Sequence, residues 1–417
     1  MKILLLTQYY PPESGSASLL MKDISKFLSN KGHKVTVLTA FPNYPYGKLY
    51  PGYKQSPLSK ERKDSINIIR TWSYISPKRK NSLHRLLNYV SFMLSAFIGY
   101  VLSSSEKPDI IYMYSPPIFL GITASILSFL YKVPYVIYLN DLWPDSAIAM
   151  GLLKNKLFIK LGLLVERISY GNAKKIFVYC PEMGNKLIYE KNLPEEKIGI
   201  QPLFFDTKSL TPREPDLEIV EKYNLRDKYV IVYAGAMGVP QNLDIVIKVA
   251  YEFKKRDFPI EFLMLGEGTE KNRLINKAKS MKLTNIKFLG QIPSDQINKY
   301  YSVAHMVIVS LGKAPHRFGT IPGKIFAYMS AGKPILAFVD ENGATANLIR
   351  KYNCGIVIDP NSDLNCATTE IINVLKNKNL LSEICKNARE AVVSLFDKNL
   401  ILDQLEKKLL GIIQQNL

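Results

Sequence analysis

Ile321-Pro-Gly-Lys-Ile-Phe-Ala-Tyr-Met-Ser-Ala-Gly-Lys-Pro-Ile-Leu-Ala337 reads as a helix start, a short helix and an immediate return into a buried strand. Pro322 suits the first helical position, where a missing N–H costs nothing. Gly323 lets the backbone come close to a ligand, and Lys324 falls in the first helical turn. A cation there opposes the positive end of the helix dipole. The combination makes sense if an anion, most simply a phosphate, sits before the free backbone N–H groups. A solvent-facing lysine on an ordinary αβ unit fits the same residues, and the stretch alone does not choose between them.

Outward from it, helix and strand patterns alternate through the second half of the chain. Apolar runs at 229–234, 260–265, 286–289, 306–309, 334–339 and 355–358 read as strands. Helical patterns at 243–256, 269–281, 294–303 and 344–352 lie between them, and helices at 364–376, 380–394 and 399–413 follow. The first half repeats the scheme. Strands are expected at 1–8, 34–39, 66–72, 109–114, 133–139, 175–178 and 197–201. Helices are expected at 18–30, 118–131, 153–170 and 181–191. Such alternation builds parallel sheets covered by helices, and 417 residues exceed one core of usual size. The fold class is therefore α/β, with two doubly wound, Rossmann-like domains in tandem facing a central cleft. Domain boundaries are placed at 1–205 and 229–395, with a Pro-interrupted, charged linker at 206–228 and a closing helix at 396–417 that can pack back on the first domain.

Composition narrows the function classes. Hydrophobic residues make up 47% and charged residues 22%, as in a foldable globular chain. The four cysteines show no paired spacing, which fits a reducing compartment and excludes a disulfide framework or a Cys/His metal site. The apolar run 3–6 is too short for a signal peptide and reads as the first strand. Net charge is +19, and the excess peaks from Lys48 to Arg85, where ten basic residues face only Glu61 and Asp64. Such a field attracts nucleic acid, acidic membrane or diphosphate ligands, although a lysine-rich soluble surface looks the same. The basic residues are not interleaved with a recognisable nucleic-acid module, so no nucleic-acid partner is expected. Within that region Lys78, Arg79, Lys80 and Arg85 immediately precede an uncharged apolar segment, 86–105. The pattern fits a helix lying at an anionic membrane surface; a core helix and a bilayer span are the alternatives.

The loops carry no GxGxxG after the first strand, no P-loop, no HExxH, no GxSxG and no DxD pair. What remains is glycine turns at Gly15, Gly235–Gly238 and Gly266–Gly268, with Lys324, all at predicted sheet edges. Each turn is weak evidence by itself, but several in one cleft point to a phosphorylated ligand.

Seven pieces, in order along nearly the whole chain, then carry a resemblance. They are Gln8-Tyr-Tyr-Pro-Pro-Glu-Ser-Gly15, Phe41-Pro-Asn-Tyr-Pro45, Asp141-Leu-Trp-Pro-Asp-Ser146, Tyr233-Ala-Gly-Ala-Met-Gly238 with Gln241-Asn-Leu-Asp244, Phe288-Leu-Gly-Gln-Ile-Pro293, Pro322-Gly-Lys-Ile-Phe326, and Tyr328-Met-Ser-Ala-Gly-Lys-Pro334. The chain resembles retaining GT-B glycosyltransferases of family 4, and among them the bacterial transferases of N-acetyl-fucosamine-type sugars in O-antigen or capsule assembly. The resemblance implies a nucleotide-sugar donor, a UDP-linked amino sugar being favoured, held mainly by the second domain. Donor-binding residues would be Gly15, Ser16, Gly235, Gly238, Gly266, Gly268, Thr320 and Lys324, and Asp141 would contact the reacting sugar. A lipid-linked glycan acceptor would bind the first domain, with Lys78, Arg79, Lys80 and Arg85 at the inner leaflet. Catalysis would need no metal and no cofactor, and the protein would be cytoplasmic and peripheral on the membrane.

The chain also departs from the family pattern. Gly319 and Ala327 stand where many members carry two glutamates, the second of which holds the ribose hydroxyls. Ala236 and Gln241 fill places that are often Arg and Lys, and Gly343-Ala-Thr-Ala346 replaces a Gly-Glu-x-Ala. A degenerate binding scaffold and a GT-B-like sugar-nucleotide epimerase are therefore the alternative readings.

Overall fold

The computed structural model describes residues 1–78, 82–103, 106–149, 151, 153–312 and 319–416. The chain divides into two compact units, one of residues 1–202 with 402–417 and one of residues 203–401.

The first unit begins with β1 (Lys2–Leu6), α1 (Ser16–Asn30), β2 (Lys34–Ala40), β3 (Leu58–Lys63), β4 (Ile66–Thr71), α2 (Ser82–Ser103), β5 (Ile110–Ser115) and α3 (Leu120–Tyr131). It continues with β6 (Tyr135–Leu139), α4 (Asp145–Ala149), α5 (Lys156–Asn172), β7 (Lys175–Val178), α6 (Pro181–Tyr189) and β8 (Ile198–Ile200). The sheet order is β3-β4-β2-β1-β5-β6-β7-β8, parallel except for β3 at the edge. From β1 the chain steps one way to β2. From β4 onward it steps the other way, through β5, β6, β7 and β8. Crossovers between parallel strands are right-handed, so reversing the direction of stepping puts α1 on one face and α2, α3, α5 and α6 on the other. The reversal point lies between β1 and β5.

The second unit contains α7 (Leu217–Lys222), β9 (Tyr229–Ala234), α8 (Asp244–Lys255), β10 (Ile260–Leu265), α9 (Lys271–Ser280), β11 (Ile286–Gly290), α10 (Ile297–Ser302) and β12 (Met306–Ser310). After these come α11 (Lys324–Ser330), β13 (Ile335–Phe338), α12 (Ala344–Lys351), β14 (Gly355–Ile358), α13 (Leu364–Lys376) and α14 (Lys378–Leu395). The final helix, α15 (Lys398–Gln414), starts in this unit and runs into the first, where Glu406 meets the His33 ring at 2.6 Å and Asp403 meets Lys31 at 2.6 Å. The six strands are ordered β11-β10-β9-β12-β13-β14, all parallel. Both faces are covered: along β9, Val230, Val232 and Ala234 pack into one core cluster and Ile231 and Tyr233 into the other. That is why its strands read as unbroken apolar runs. Here the direction of stepping reverses between β9 and β12.

One expectation needs correction, and three others are refined. Residues 206–228 are no free linker. They belong to the second unit, carry α7 behind an Asp216 cap, and are fastened where the Ser302 hydroxyl accepts from Asp216 N at 3.0 Å. The helix expected at 153–170 is α5, started by Asn155, whose side chain accepts from Leu157 N and Phe158 N, and α4 is a short addition before it. β3, Leu-Ser-Lys-Glu-Arg-Lys, is an addition to the expected strands, because an exposed edge strand has no apolar face to announce it. Finally, α2 has the length and apolar character of a span, yet Asn88, Phe92, Ala96, Gly99 and Tyr100 are buried against the unit. Asn88 Oδ1 accepts from Gln8 Nε2 at 2.7 Å and Ser95 Oγ donates to Trp72 O. These bonds hold one face of α2 along the sheet.

Candidate functional site

In an open parallel sheet, ligands bind beyond the carboxyl ends of the strands at the point where the stepping direction reverses. In the second unit that point lies between β9 and β12, so the loops after these two strands are brought together. Gly235 opens the first of them and Lys324 closes the second. The two meet: a Cβ on Gly235 would lie 2.4 Å from Lys324 Nζ, and Gly235 has φ +147°. Only glycine leaves room there for the ammonium to lie against the backbone. The ammonium also sits over the Tyr233 ring, 4.1 Å from its centroid.

The turn is held from both sides. Tyr233 Oη donates to Ala236 O, while Tyr328 Oη, from α11, donates to Ala234 O and accepts from Ala234 N, both at 3.1 Å. Gly266, after β10, has φ +131°, and a Cβ there would fall 1.9 Å from Gly235 O. Gly268 is packed as closely against Met237 O, and Met237 N donates to Glu267 O at 2.8 Å. The glycine turns after adjacent strands thus interlock, leaving backbone rather than side chains at the strand ends.

Lys324 has no carboxylate partner among the described residues, and burial alone pulls its amine down to about 8. Sequence alone half suggests this feature, and the helix dipole is not its main physical basis. α11 has only seven residues, Gly323 caps it so that Pro322 lies just outside the helix rather than at its first position, and a dipole of that length is weak. The stronger argument is a desolvated cation, against a glycine backbone, that an anion would stabilise.

Thr320 lines a small cleft at the ends of β12 and β13 with Leu311, Gly312, Asp340, Gly343 and Thr345; its carbonyl accepts from Thr345 Oγ1 at 2.7 Å. Gly238 opens a short 3-10 turn in which its N–H donates to Gln241 Oε1 at 3.1 Å, so its place is set by local geometry rather than by close approach. Ala327 is a half-buried core neighbour on α11. His305 accepts from Val230 N at 3.0 Å through Nδ1, and burial lowers its pKa, which makes it a strand-edge hydrogen-bond acceptor.

Gly15 and Ser16 belong to the first unit, where Gly15 caps α1 just beyond β1, and a Cβ on it would touch the Tyr44 ring at 3.3 Å. Asp141 follows β6, half-buried, and its Oδ2 accepts from Ser146 Oγ at 2.9 Å. Two residues that sequence reading passes over shape these loops. Glu13, 2% exposed, accepts from Asn43 N and Tyr44 N at 2.7 Å, joining the first two motifs of the chain. Two amide donors offset the desolvation of that carboxylate. Arg70 is equally buried, donating to Pro11 O at 2.6 Å, Ala40 O at 3.1 Å and Glu61 at 2.7 Å. One of the ten basic residues of the Lys48–Arg85 region is therefore a structural clamp. Of the proposed acceptor-side residues, Lys78 is an exposed turn residue and Arg85 is half-buried in the first turn of α2; Arg79 and Lys80 lie outside the described residues. No three His, Cys, Asp or Glu side chains converge among the described residues.

The halves of the chain match two family models, a glycosyl transferase 4-like domain over residues 21–203 and glycosyl transferases group 1 over residues 216–391. The chain is 25% identical over 424 aligned positions to the putative colanic acid biosynthesis glycosyl transferase WcaI of Escherichia coli (strain K12), covering 99% of this chain and all of that one. Among solved structures, sucrose-phosphate synthase from Thermosynechococcus elongatus matches with a TM-score of 0.72 over 99% of both chains, at 16% identity. Anabaena Alr3699/HepE, solved in complex with UDP, matches with a TM-score of 0.69 over 99% of this chain and 100% of that one, also at 16% identity. The fold and the family matches define a glycosyltransferase of the GT-B type. This chain is one that joins a glycosyl transferase 4-like half to a group 1 half.

Proposed function

We propose that this enzyme transfers a sugar, with retention and without a metal, from a UDP-linked donor to a lipid-linked glycan in surface polysaccharide synthesis, an N-acetylated amino sugar being the favoured cargo. One observation carries the reading: the desolvated ammonium of a half-buried lysine, with no carboxylate partner among the described residues, laid against a glycine backbone at the reversal point of the second sheet. Such a site suits a diphosphate. In the reaction the acceptor oxygen bonds to the anomeric carbon as the bond from that carbon to the β-phosphate oxygen breaks. The electron pair passes to the diphosphate, where Lys324 offsets the growing charge. The acceptor proton moves to the leaving phosphate oxygen on the same face of the sugar, which retains configuration. No group of the protein becomes covalently attached. Asp141 would contact the reacting sugar, and the first unit would hold the acceptor at the membrane. The WcaI relative, named for colanic acid biosynthesis, and the UDP bound to Alr3699/HepE support the pathway class and the nucleotide.

The test is thermal stabilisation of the pure protein by UDP and GDP, followed by turnover of UDP-linked sugars on a polyprenyl-diphosphate glycan. UDP at 100 times its Kd should raise stability by about 2.7 kcal/mol, with GDP giving less. Stabilisation by GDP alone, or retained UDP binding with no transfer from any donor, would overturn the reading. Ala327→Glu is expected to tighten UDP binding about three- to tenfold by restoring a charged hydrogen bond to the ribose hydroxyls. Calorimetry on the variant checks this, and an unchanged or weakened affinity would refute it.

A further inference from the structure

The outward faces of α2, α3 and α5 carry apolar residues that no described part of the chain covers. On α5, Leu157, Leu161, Leu164 and Ile168 recur at i, i+4, i+7 and i+11, forming one stripe opposite the buried Gly162, Glu166 and Ser169. On α3, Phe129 is 87% exposed and Leu130 is exposed beside it. α2 continues the pattern with Leu87, Leu94 and Ile98 outward and Phe92 and Ala96 inward. These are not three unrelated faces. Right-handed crossovers put the helices on the same side of the sheet, and close contacts tie them together. Thr123 Oγ1 of α3 donates to Met93 O of α2 at 2.8 Å, and a Cβ on Gly121 would collide with Ser169 Oγ of α5 at 2.0 Å. A contiguous apolar surface of this kind is unusual on a free-standing soluble protein.

Charge identifies the occupant. Glu166 is the only carboxylate within α2, α3 and α5, and it is buried and paired with Lys191 at 3.0 Å. The exposed charges on and flanking α3 and α5 are basic: Lys132, Lys154, Lys156, Lys160 and Arg167. Past the end of α2, the Glu106 carboxylate is already engaged by Lys34. A second copy of the chain would bring like charges face to face, whereas anionic headgroups complement them. We propose that the outer face of α2, α3 and α5 docks this glycosyltransferase on an anionic bilayer, with its leucines and Phe129 in the interfacial layer and the lysines and Arg167 among the headgroups. This extends the contact from the start of α2 to a three-helix face. It does not depend on which sugar is moved.

The experiment is flotation of the full chain with vesicles of phosphatidylglycerol and phosphatidylethanolamine, and separately with pure phosphatidylcholine vesicles. Neither nucleotide nor acceptor is present, so docking and sugar transfer fail separately. The wild type should float with the anionic vesicles and at least tenfold less with the neutral ones. The pairs Phe129→Glu with Leu130→Glu, and Leu161→Glu with Leu164→Glu, should each reduce anionic-vesicle binding at least tenfold. Being exposed, these positions should leave the melting temperature and UDP affinity unchanged. Wild-type flotation retained by both variant pairs would overturn the proposal, as would no wild-type binding. So would a dimer by light scattering that either pair converts to monomer without any vesicle binding, since the face would then serve a second copy.

Discussion

Lys324→Ala is expected to weaken UDP binding by about 1–3 kcal/mol, the worth of a charged hydrogen bond, and to cut turnover by a further factor of about 10² to 10³. The larger effect falls on turnover because charge on the diphosphate grows as the sugar leaves, so a fixed cation counts for more in the transition state than in the bound donor. The variant should still fold. The ammonium it removes makes no ion pair among the described residues, and its burial is a cost to the empty protein. Calorimetry with UDP and steady-state transfer kinetics separate the two effects. Equal affinity and equal turnover would remove Lys324 from the site.

Gly266→Ala should have the second largest effect, and on stability. The added Cβ would meet Gly235 O at 1.9 Å, on a backbone with φ +131°. Overpacking of about 1–3 kcal/mol and strain of similar size together predict a loss of about 2–6 kcal/mol. The melting temperature should fall by roughly 2–4 °C for each kcal/mol. Gly323→Ala is the control: a Cβ there would find nothing within 4 Å, and φ is −57°. It should stay within about 0.5 kcal/mol of wild type. A Gly266→Ala protein as stable as the control, binding UDP as well as wild type, would show that the interlocked turns are not required.

These two residues mark what can and cannot be read from the chain. The strands at 229–234 and 260–265 are legible to the residue, because strands buried on both faces are continuous apolar runs bounded by polar turns. The two-domain α/β plan follows from that alternation. Lys324 is visible as a cation at a helix start, but its surroundings are not. β9 and β12 are neighbours although β10, β11 and three helices separate them in sequence, and adjacency across a sheet leaves no local trace. The same holds for Glu13, whose partners lie some way along the chain at Asn43 and Tyr44, and for Arg70, which in sequence looks like one more surface charge. The linker at 206–228 misleads for another reason. Prolines and charges mark irregular chain, and irregular chain can pack as firmly as a helix when a hydroxyl such as that of Ser302 caps its backbone. The apolar faces of α3 and α5 stay hidden in sequence, since a leucine stripe does not tell which side of the helix meets the sheet.

The central claim is that the Lys324 ammonium receives the donor diphosphate. In the free protein burial holds its pKa to about 8, below the usual lysine value. A bound diphosphate would raise it again. Binding then favours the protonated amine: UDP affinity is level below the pKa of the free protein and falls as pH rises through it toward the higher pKa of the complex. UDP titration calorimetry at a pH of about 8.5, just above that free-protein value, in two buffers of different ionisation enthalpy, counts the protons taken up on binding. The wild type is predicted to take up a substantial fraction of a proton and Lys324→Ala none. Equal uptake by the two proteins, or none by either, would contradict the account.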